Sequence, residues 1–443
     1  MVNSVKNVFS KYAFCAAAGV YAALFCCGVI TVSVPRTLRS LIPREAVTEL
    51  RARIASDPVK TADGRSYRCI VDVSETGGAV KGCRNAVFSS ANGRALVYIP
   101  TAVIEAQYPG KLYSQLHALR GTDSLPNRTM GLAESGAEFL FSVTPANGRR
   151  SDGLPAYTVH QARYIGFETS LRGKIRKLRA VLRLSLKRLL YGWGDAGGLL
   201  LALLTGSAEY TGEGVRASFQ KAGAAHILAL SGMHLSLFSG MADTVIRLIG
   251  GKKAASYGAY AAAVLFVWFA GASPSLLRAL ISATLCAVCR SCGLKPRLPD
   301  VLAASFFIQL CAAPESIYNV SFALSYAALA GMATIGRLVQ PLVCRCPFIP
   351  KKTAVNLSTS FGAQLGAAPV TVVVFKCFAP GGGVASMLVT PLVSVFLTVG
   401  LAAAAVSFVC PQLRAPLGGI INLLYTCIIR AVCLCAKIPP LEF

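Results

Sequence analysis

Apolar residues follow different rhythms along this chain, and each rhythm predicts a different kind of element. From Tyr12 to Val34 they form one unbroken run behind Lys6 and Lys11. The run is about as long as a bilayer crossing, longer than the apolar region of a signal peptide. It reads as a retained anchor whose N-terminal end is cytoplasmic. From Pro35 to about Pro155 the rhythm becomes two: Tyr67, Cys69, Val71 and Val73 alternate with Arg68, Ile70 and Asp72. Gly64, Gly77-Gly78, Asn92-Gly93 and Pro109-Gly110 break this region into short segments. About five strands in roughly a hundred residues suffice for a small barrel. Leu171 to Leu190 then turns helical: Leu171, Ile175, Leu178, Leu182, Leu186 and Leu189 form one stripe. Arg172, Lys174, Arg176, Lys177, Arg179, Arg183, Lys187 and Arg188 cover the rest. That is the pattern of a helix lying in a membrane interface.

Beyond Gly197 the chain is almost continuously apolar. Gly197–Gly206 is too short to span and reads as a half-helix, and Glu209–Ala222 reads as an interfacial helix. Spans are expected at about 254–272, 274–292, 300–313, 317–341, 355–376, 384–409 and 417–436, the 300–313 run being short. The implied organisation is an anchor (1–35), a β-rich domain (36–168), a basic interfacial helix (169–192) and a membrane domain (193–443). The fold class is a polytopic α-helical membrane protein carrying a small extracytoplasmic β-rich domain.

Composition agrees. Of 443 residues, 54% are hydrophobic and 14% charged, with a mean hydropathy of +0.57, which excludes a soluble globular protein. The net charge of +25 is concentrated on few surfaces, and such surfaces suit the phosphates of lipids or of nucleic acid. Lys252-Lys253, then Arg290 with Lys295 and Arg297, then Arg345 with Lys351 and Lys352, fall on alternate loops. The loops between, Ala272–Ser275 and Ala313–Ser316, hold neither Lys nor Arg. The basic set is therefore cytoplasmic, and the β-rich domain lies outside. Most of the 16 cysteines lie in apolar spans and pack as small hydrophobes. Cys286, Cys289 and Cys292 mimic metal spacing but sit on a membrane helix with no histidine nearby, so no metal is expected. Cys69 and Cys83 lie in the strand-like region, where an extracytoplasmic location would allow a disulfide.

One span is too polar to face lipid. Gly223–Gly240, GAAHILALSGMHLSLFSG, carries His226, Ser231 and His234 and a Ser231-Gly232 step at which a helix can bend or unwind. It reads as a central span surrounded by protein, its histidines shaping a pore lining.

HILALSGMH resembles the most characteristic motif of the ComEC family of DNA-uptake channels, and three further blocks agree in order. Gly271, Pro274, Ser275 and Arg278 in GASPSLLRAL resemble the family's GxxPSxxRA. Asn319–Tyr326, NVSFALSY, resembles its DxGFQLSF, and Ala363–Pro369, AQLGAAP, with Phe375 behind it, resembles another apolar block. The likeness covers roughly Gly197 to Pro391. Ser321, Ala323 and Tyr326 depart from the family's Gly, Gln and second Phe, and Ser386 stands where a family Asn precedes Pro391.

The resemblance implies an inner-membrane channel, in a bacterial cytoplasmic membrane, for single-stranded DNA in natural transformation, without a cofactor. Its path would be lined by His226, Ser231, Gly232, His234, Arg278, Asn319, Ser321, Ser325 and Gln364. It also implies an OB-like fold for the β-rich domain, and such barrels bind single strands through basic and aromatic side chains. Tyr67, Arg68, Lys81, Arg84, Phe88, Arg94 and Tyr98 are of the right types, and equally of the types found as core aromatics and solvated charges. For the basic helix, lipid headgroups are the favoured partner over DNA phosphates. The chain shows neither the HxHxDH pattern of the family's metallo-β-lactamase-like domain nor a Walker A sequence. An outer-face DNA receptor and nuclease, and a cytoplasmic motor or helicase, are accordingly expected as separate partners. Two other readings stand beside this one. The first is a transporter or export channel for another polyanion or a lipid-linked substrate. The second is an intramembrane serine hydrolase, because Ala229-Leu230-Ser231-Gly232 resembles the GxSG nucleophile turn of rhomboid proteases without its leading glycine, with His234 as base.

Overall fold

The structure is a computed structural model. It describes residues 21, 38–61, 63–78, 87–105, 133–146, 154–207, 211–294, 297–345, 350–379, 381–437 and 441–442. The chain forms two compact units, one built from the β-rich segment with the helix that follows it, the other from the helices beyond Leu199. Of the expected anchor only Tyr21 lies among the described residues.

In the first unit, strands β1 (Val47–Ile54), β2 (Val59–Lys60), β3 (Ser66–Gly78), β4 (Val87–Pro100), β5 (Ala137–Pro145) and β6 (Ala156–Phe167) form one sheet. A short helix α1 (Thr101–Glu105) follows β4. The sheet order is β1-β5-β6-β4-β3, and β3 pairs back onto β1, so the sheet closes, with β2 added along β3. All pairings are antiparallel except β4 with β6, where Leu96–Tyr98 run parallel to Ala156–Thr158. A closed five-stranded barrel of this order is OB-like. The two-residue alternation places Tyr67, Cys69, Val71 and Val73 of β3 inside, against Leu50, Ile54, Val97, Ile99, Phe139 and Phe141. Closure buries both ends of the pattern and leaves few exposed strand edges.

Helix α2 (Leu171–Tyr191) starts at Ser170, whose hydroxyl accepts the Gly173 N–H at 3.1 Å. Only the C-terminal part of the leucine stripe, Leu186 and Leu189, is packed. Leu171, Ile175, Leu178 and Leu182 stay exposed, while Ala180, Arg183, Leu184, Lys187 and Leu190 are buried. The buried face therefore carries two cations, and their partners come from the barrel, as described below.

The second unit contains α3 (Gly194–Thr205, from Leu199 onward), α4 (Glu213–Lys221), α5 (Ala225–Leu228), α6 (Gly232–Ala270), α7 (Pro274–Ser291) and α8 (Leu298–Ala312). It continues through α9 (Val320–Gly331), α10 (Arg337–Cys344), α11 (Lys351–Phe375), α12 (Gly382–Val409) and α13 (Arg414–Cys435). Strands β7 (Cys377–Phe378) and β8 (Leu441–Glu442) pair with each other. Several of these helices are long and apolar enough to cross a bilayer, and the chain is a multi-pass membrane protein. The apolar stretch Gly232–Ala270 is two arms rather than one straight helix. Gly251 has φ 74°, a left-handed conformation that only glycine adopts readily, and the two arms fold back there. Phe238 stacks on Phe266 at 4.1 Å, which a straight helix would place far apart. Each arm of about 19 residues is about 28 Å long, close to the thickness of the hydrocarbon core. This hairpin places Lys252 and Lys253 at its tip.

Close packing elsewhere rests on small residues. A π-helical turn, Met332–Gly336, joins α9 to α10. On either side of it, Gly331 faces Gly366, so that a Cβ on Gly331 would stand 2.6 Å from the Gly366 Cα. With Gly362 one turn before Gly366, the two backbones meet as membrane helices do when glycines line their contact.

Candidate functional site

The central stretch is a broken helix. Helix α5 ends at Leu228, Ala229 is extended (ψ 139°), and α6 begins only after Ser231 (φ −135°, ψ 173°). Interrupted helices of this kind in membrane proteins free backbone groups that must be satisfied locally. Ser231 and His234 do this at the start of α6. The Ser231 N–H donates to His234 Nδ1 at 3.2 Å, and the Ser231 Oγ lies 3.1 Å from the same nitrogen. Nδ1 is thus the acceptor and the ring proton sits on Nε2, which is buried with no hydrogen-bond partner among the described residues. His234 is fully buried. The pair is a capping box, the histidine taking the place that Glu or Gln usually holds.

Helix α7 brings Arg278 to this break. A Cβ on Gly232 would lie 3.4 Å from the Ala279 Cβ and 3.8 Å from an Arg278 terminal nitrogen, so the glycine keeps that approach open. The Arg278 Nε donates to Ser325 Oγ at 2.7 Å, and Ser275 Oγ is 3.2 Å from the same hydroxyl. The guanidinium also lies over the Tyr326 ring, 5.9 Å from its centroid. Tyr326 is anchored in turn: its hydroxyl donates to Gln309 Oε1 at 3.1 Å, and Gln309 donates to the Pro274 carbonyl at 2.9 Å. Arg278 is therefore positioned by neutral groups, and no carboxylate pairs with it among the described residues.

A cleft of about 560 Å³ opens from Arg278 along α7, between both arms of α6 and helices α8 and α9. None of its lining residues is acidic.

The other expected path residues are placed elsewhere. His226 Nε2 lies 3.3 Å from Ser386 Oγ of α12. Gln364 donates to the Ala379 carbonyl, and Gly223, at φ 72°, packs against Ala379 and Gly382. These residues form a second polar group that ties α5, α11 and α12 together. Asn319 caps α9, its side chain accepting the Ser321 N–H at 2.9 Å, so Asn319 and Ser321 serve the helix start and do not line the cleft. Of the expected path residues, Ser231, Gly232, His234, Arg278 and Ser325 come together.

On the barrel, Tyr67 corrects the expectation of a stacking aromatic: it is fully buried in the core, because its strand position points inward. Arg68 and Tyr98 stand opposite each other on β3 and β4, pointing outward, and Phe88 is exposed. Arg94 pairs with Asp72 at 3.2 Å. Lys81, Arg84 and Cys83 lie outside the described residues. Cys69 is a free thiol in the barrel core, and burial raises its pKa. Its inward direction on β3 turns it away from the surface, and no disulfide is formed there.

The basic helix is corrected in part. Arg172, Lys174, Arg176 and Lys177 are exposed, as is Arg188, but three cations are spent on the barrel. Arg179 meets Asp57 at 2.8 Å, Arg183 meets Asp57 at 3.4 Å and Glu134 at 3.1 Å, and Lys187 meets Glu134 at 3.0 Å. Burial alone would raise the Asp57 pKa, but the Arg183 and Arg179 guanidiniums outweigh it and hold the carboxyl at about 2. The sequence offered one signal for this cluster: Ala180, Arg183, Leu184, Lys187 and Tyr191 recur at helical spacing, a stripe with cations inside it.

An OB-like barrel and a helical unit with several helices able to cross a bilayer define the class: a multi-pass membrane protein with an OB-like domain. The chain belongs to the competence protein family, whose model, described as "Competence protein", matches residues 203–442. ComE operon protein 3 of Bacillus subtilis (strain 168) is 27% identical over 200 residues, which is 44% of this chain and 25% of that relative. The chain thus spans about a quarter of the length of the curated relative it matches. No solved structure matches it.

Proposed function

We propose that this chain acts in DNA uptake for competence, as a channel of the cytoplasmic membrane that carries a single strand inward. Phosphates do not shed water into hydrocarbon, so a strand crossing a bilayer requires a wet, polar or basic route. The observation that carries the reading is Arg278, held beside the break of the central helix by Ser325 and Tyr326 and left without a carboxylate among the described residues. A planar guanidinium placed this way is ready for a bidentate phosphate contact. The barrel's outward Arg68, Tyr98 and Phe88 supply a surface on which a strand can be met before it enters. In this reading the channel works with a DNA receptor, a nuclease and a motor. The capping geometry of Ser231 and His234 supports the channel over a serine hydrolase, because the nitrogen nearest the hydroxyl already accepts a backbone N–H.

The test is a clean deletion scored with marked DNA, surface binding of DNA being measured separately. Loss of transformation with DNA still bound at the surface is expected. Undiminished transformation would overturn the proposal.

A further inference from the structure

The cleft beside Arg278 has a second cation that family likeness does not mark. Residues 278, 282, 286 and 290 recur every four positions on α7, and all four line the cleft: Arg278, Ser282, Cys286 and Arg290. Ser239 of the first α6 arm and Tyr260 of the second line it too. Tyr260 is held by Thr284 of α7, their hydroxyl oxygens 2.9 Å apart. The nearest acidic group on the first arm, Asp243, is already paired with Arg247 at 2.5 Å. Twelve helical residues separate the two arginines, a rise of about 18 Å. A single small anion does not reach across that distance, whereas a chain of phosphates does. The simpler account of Arg290 is a loop charge that sets membrane orientation. That account does not explain why it shares one face with Arg278, with hydroxyls between them and no acid in the wall.

We propose that this cleft is a two-point phosphate track in which Arg278 and Arg290 each hold a phosphodiester of one extended single strand. Ser239, Ser282 and Tyr260 offer hydroxyls to the backbone between them, so binding is independent of base sequence. The proposal rests on the uptake reading only for the identity of the physiological strand.

Cys286 lies in the wall between the two arginines, and Cys289, on the same helix, does not line the cleft. The chain purified in detergent is treated with a small charged maleimide, with and without an oligothymidylate, and modification is read by peptide mass spectrometry. Saturating oligonucleotide is expected to slow Cys286 at least tenfold and leave Cys289 unchanged, which also reports that the helix is intact. Protection weakens with salt, and Arg278→Gln and Arg290→Gln each lower the log–log salt slope by about 0.7, the value of one phosphate contact on a single strand. Arg290→Lys restores most of that slope. Equal Cys286 modification with and without oligonucleotide overturns the track, and so does an unchanged slope in Arg290→Gln, which leaves that residue an orientation charge. Protection in a protein whose deletion still transforms normally would sink the uptake reading and leave the track standing. A deletion that abolishes transformation, with no protection of Cys286, would do the reverse.

Discussion

The tie between α2 and the barrel is open to a quantitative test at Arg183. This side chain is 1% exposed and reaches both Glu134, itself 2% exposed, and Asp57. Removing one partner of a buried ion pair costs about 3–5 kcal/mol, because the remaining charge stays buried and unpaired. In Arg183→Ala, Lys187 still faces Glu134 and Arg179 still faces Asp57, so the lower end, about 3 kcal/mol, applies. If that loss falls on the docking of α2, amide hydrogen exchange across residues 171–191 should quicken by about a hundredfold relative to the barrel strands. Arg183→Met keeps the apolar stem and separates packing from charge. Arg172→Ala, on the exposed side, should shift exchange by less than about twofold. Unchanged exchange in α2 of Arg183→Ala would refute the view that these ions hold the helix to the barrel.

Further expectations follow from particular groups. Asp57 has its carboxyl held at about 2 against 3.8 for the free side chain, so it contributes about 2 kcal/mol above pH 3.8, lost as pH falls through 2. Wild type should therefore exceed Asp57→Asn in denaturant resistance at pH 6, with the gap closing near pH 2, and a constant gap would contradict this. Gly366→Leu should force α9 from α11 and abolish stable membrane accumulation, measured by immunoblot, since its Cβ would meet Gly331 Cα at 2.7 Å; wild-type levels would remove the close-contact argument. In DNA uptake at matched protein levels, Ser231→Ala should keep much of the activity and Gly232→Leu should lose it by filling the space before Arg278; the opposite order would favour a nucleophilic serine. Topology reporters at Gly77 and Lys352 should read on opposite sides of the membrane, outside and cytoplasmic; the same side for both would refute the placement of the barrel.

What could be read from the chain was whatever depends on near neighbours. Strand alternation around Tyr67–Val73 and helical periods beyond Gly197 reflect local geometry, so the β-rich domain and the succession of apolar helices were legible. The break at Ser231-Gly232 was legible too, because its cap is made three residues away. The ion pairs of α2 were not legible: Arg179, Arg183 and Lys187 stood in the sequence as members of a basic face, while their partners Asp57 and Glu134 lie 122 residues from Arg179 and 49 from Arg183. No periodicity within a helix encodes a partner that far off. Tyr67 and Cys69 went inward with Val71 and Val73, as the alternation with Arg68 and Asp72 implies, and barrel closure is what turns that face into an enclosed core. The same holds for Arg278. Its motif marked it, but the hydroxyl of Ser325, the ring of Tyr326 and the alignment with Arg290 along a cleft exist only once α6, α7, α8 and α9 have packed.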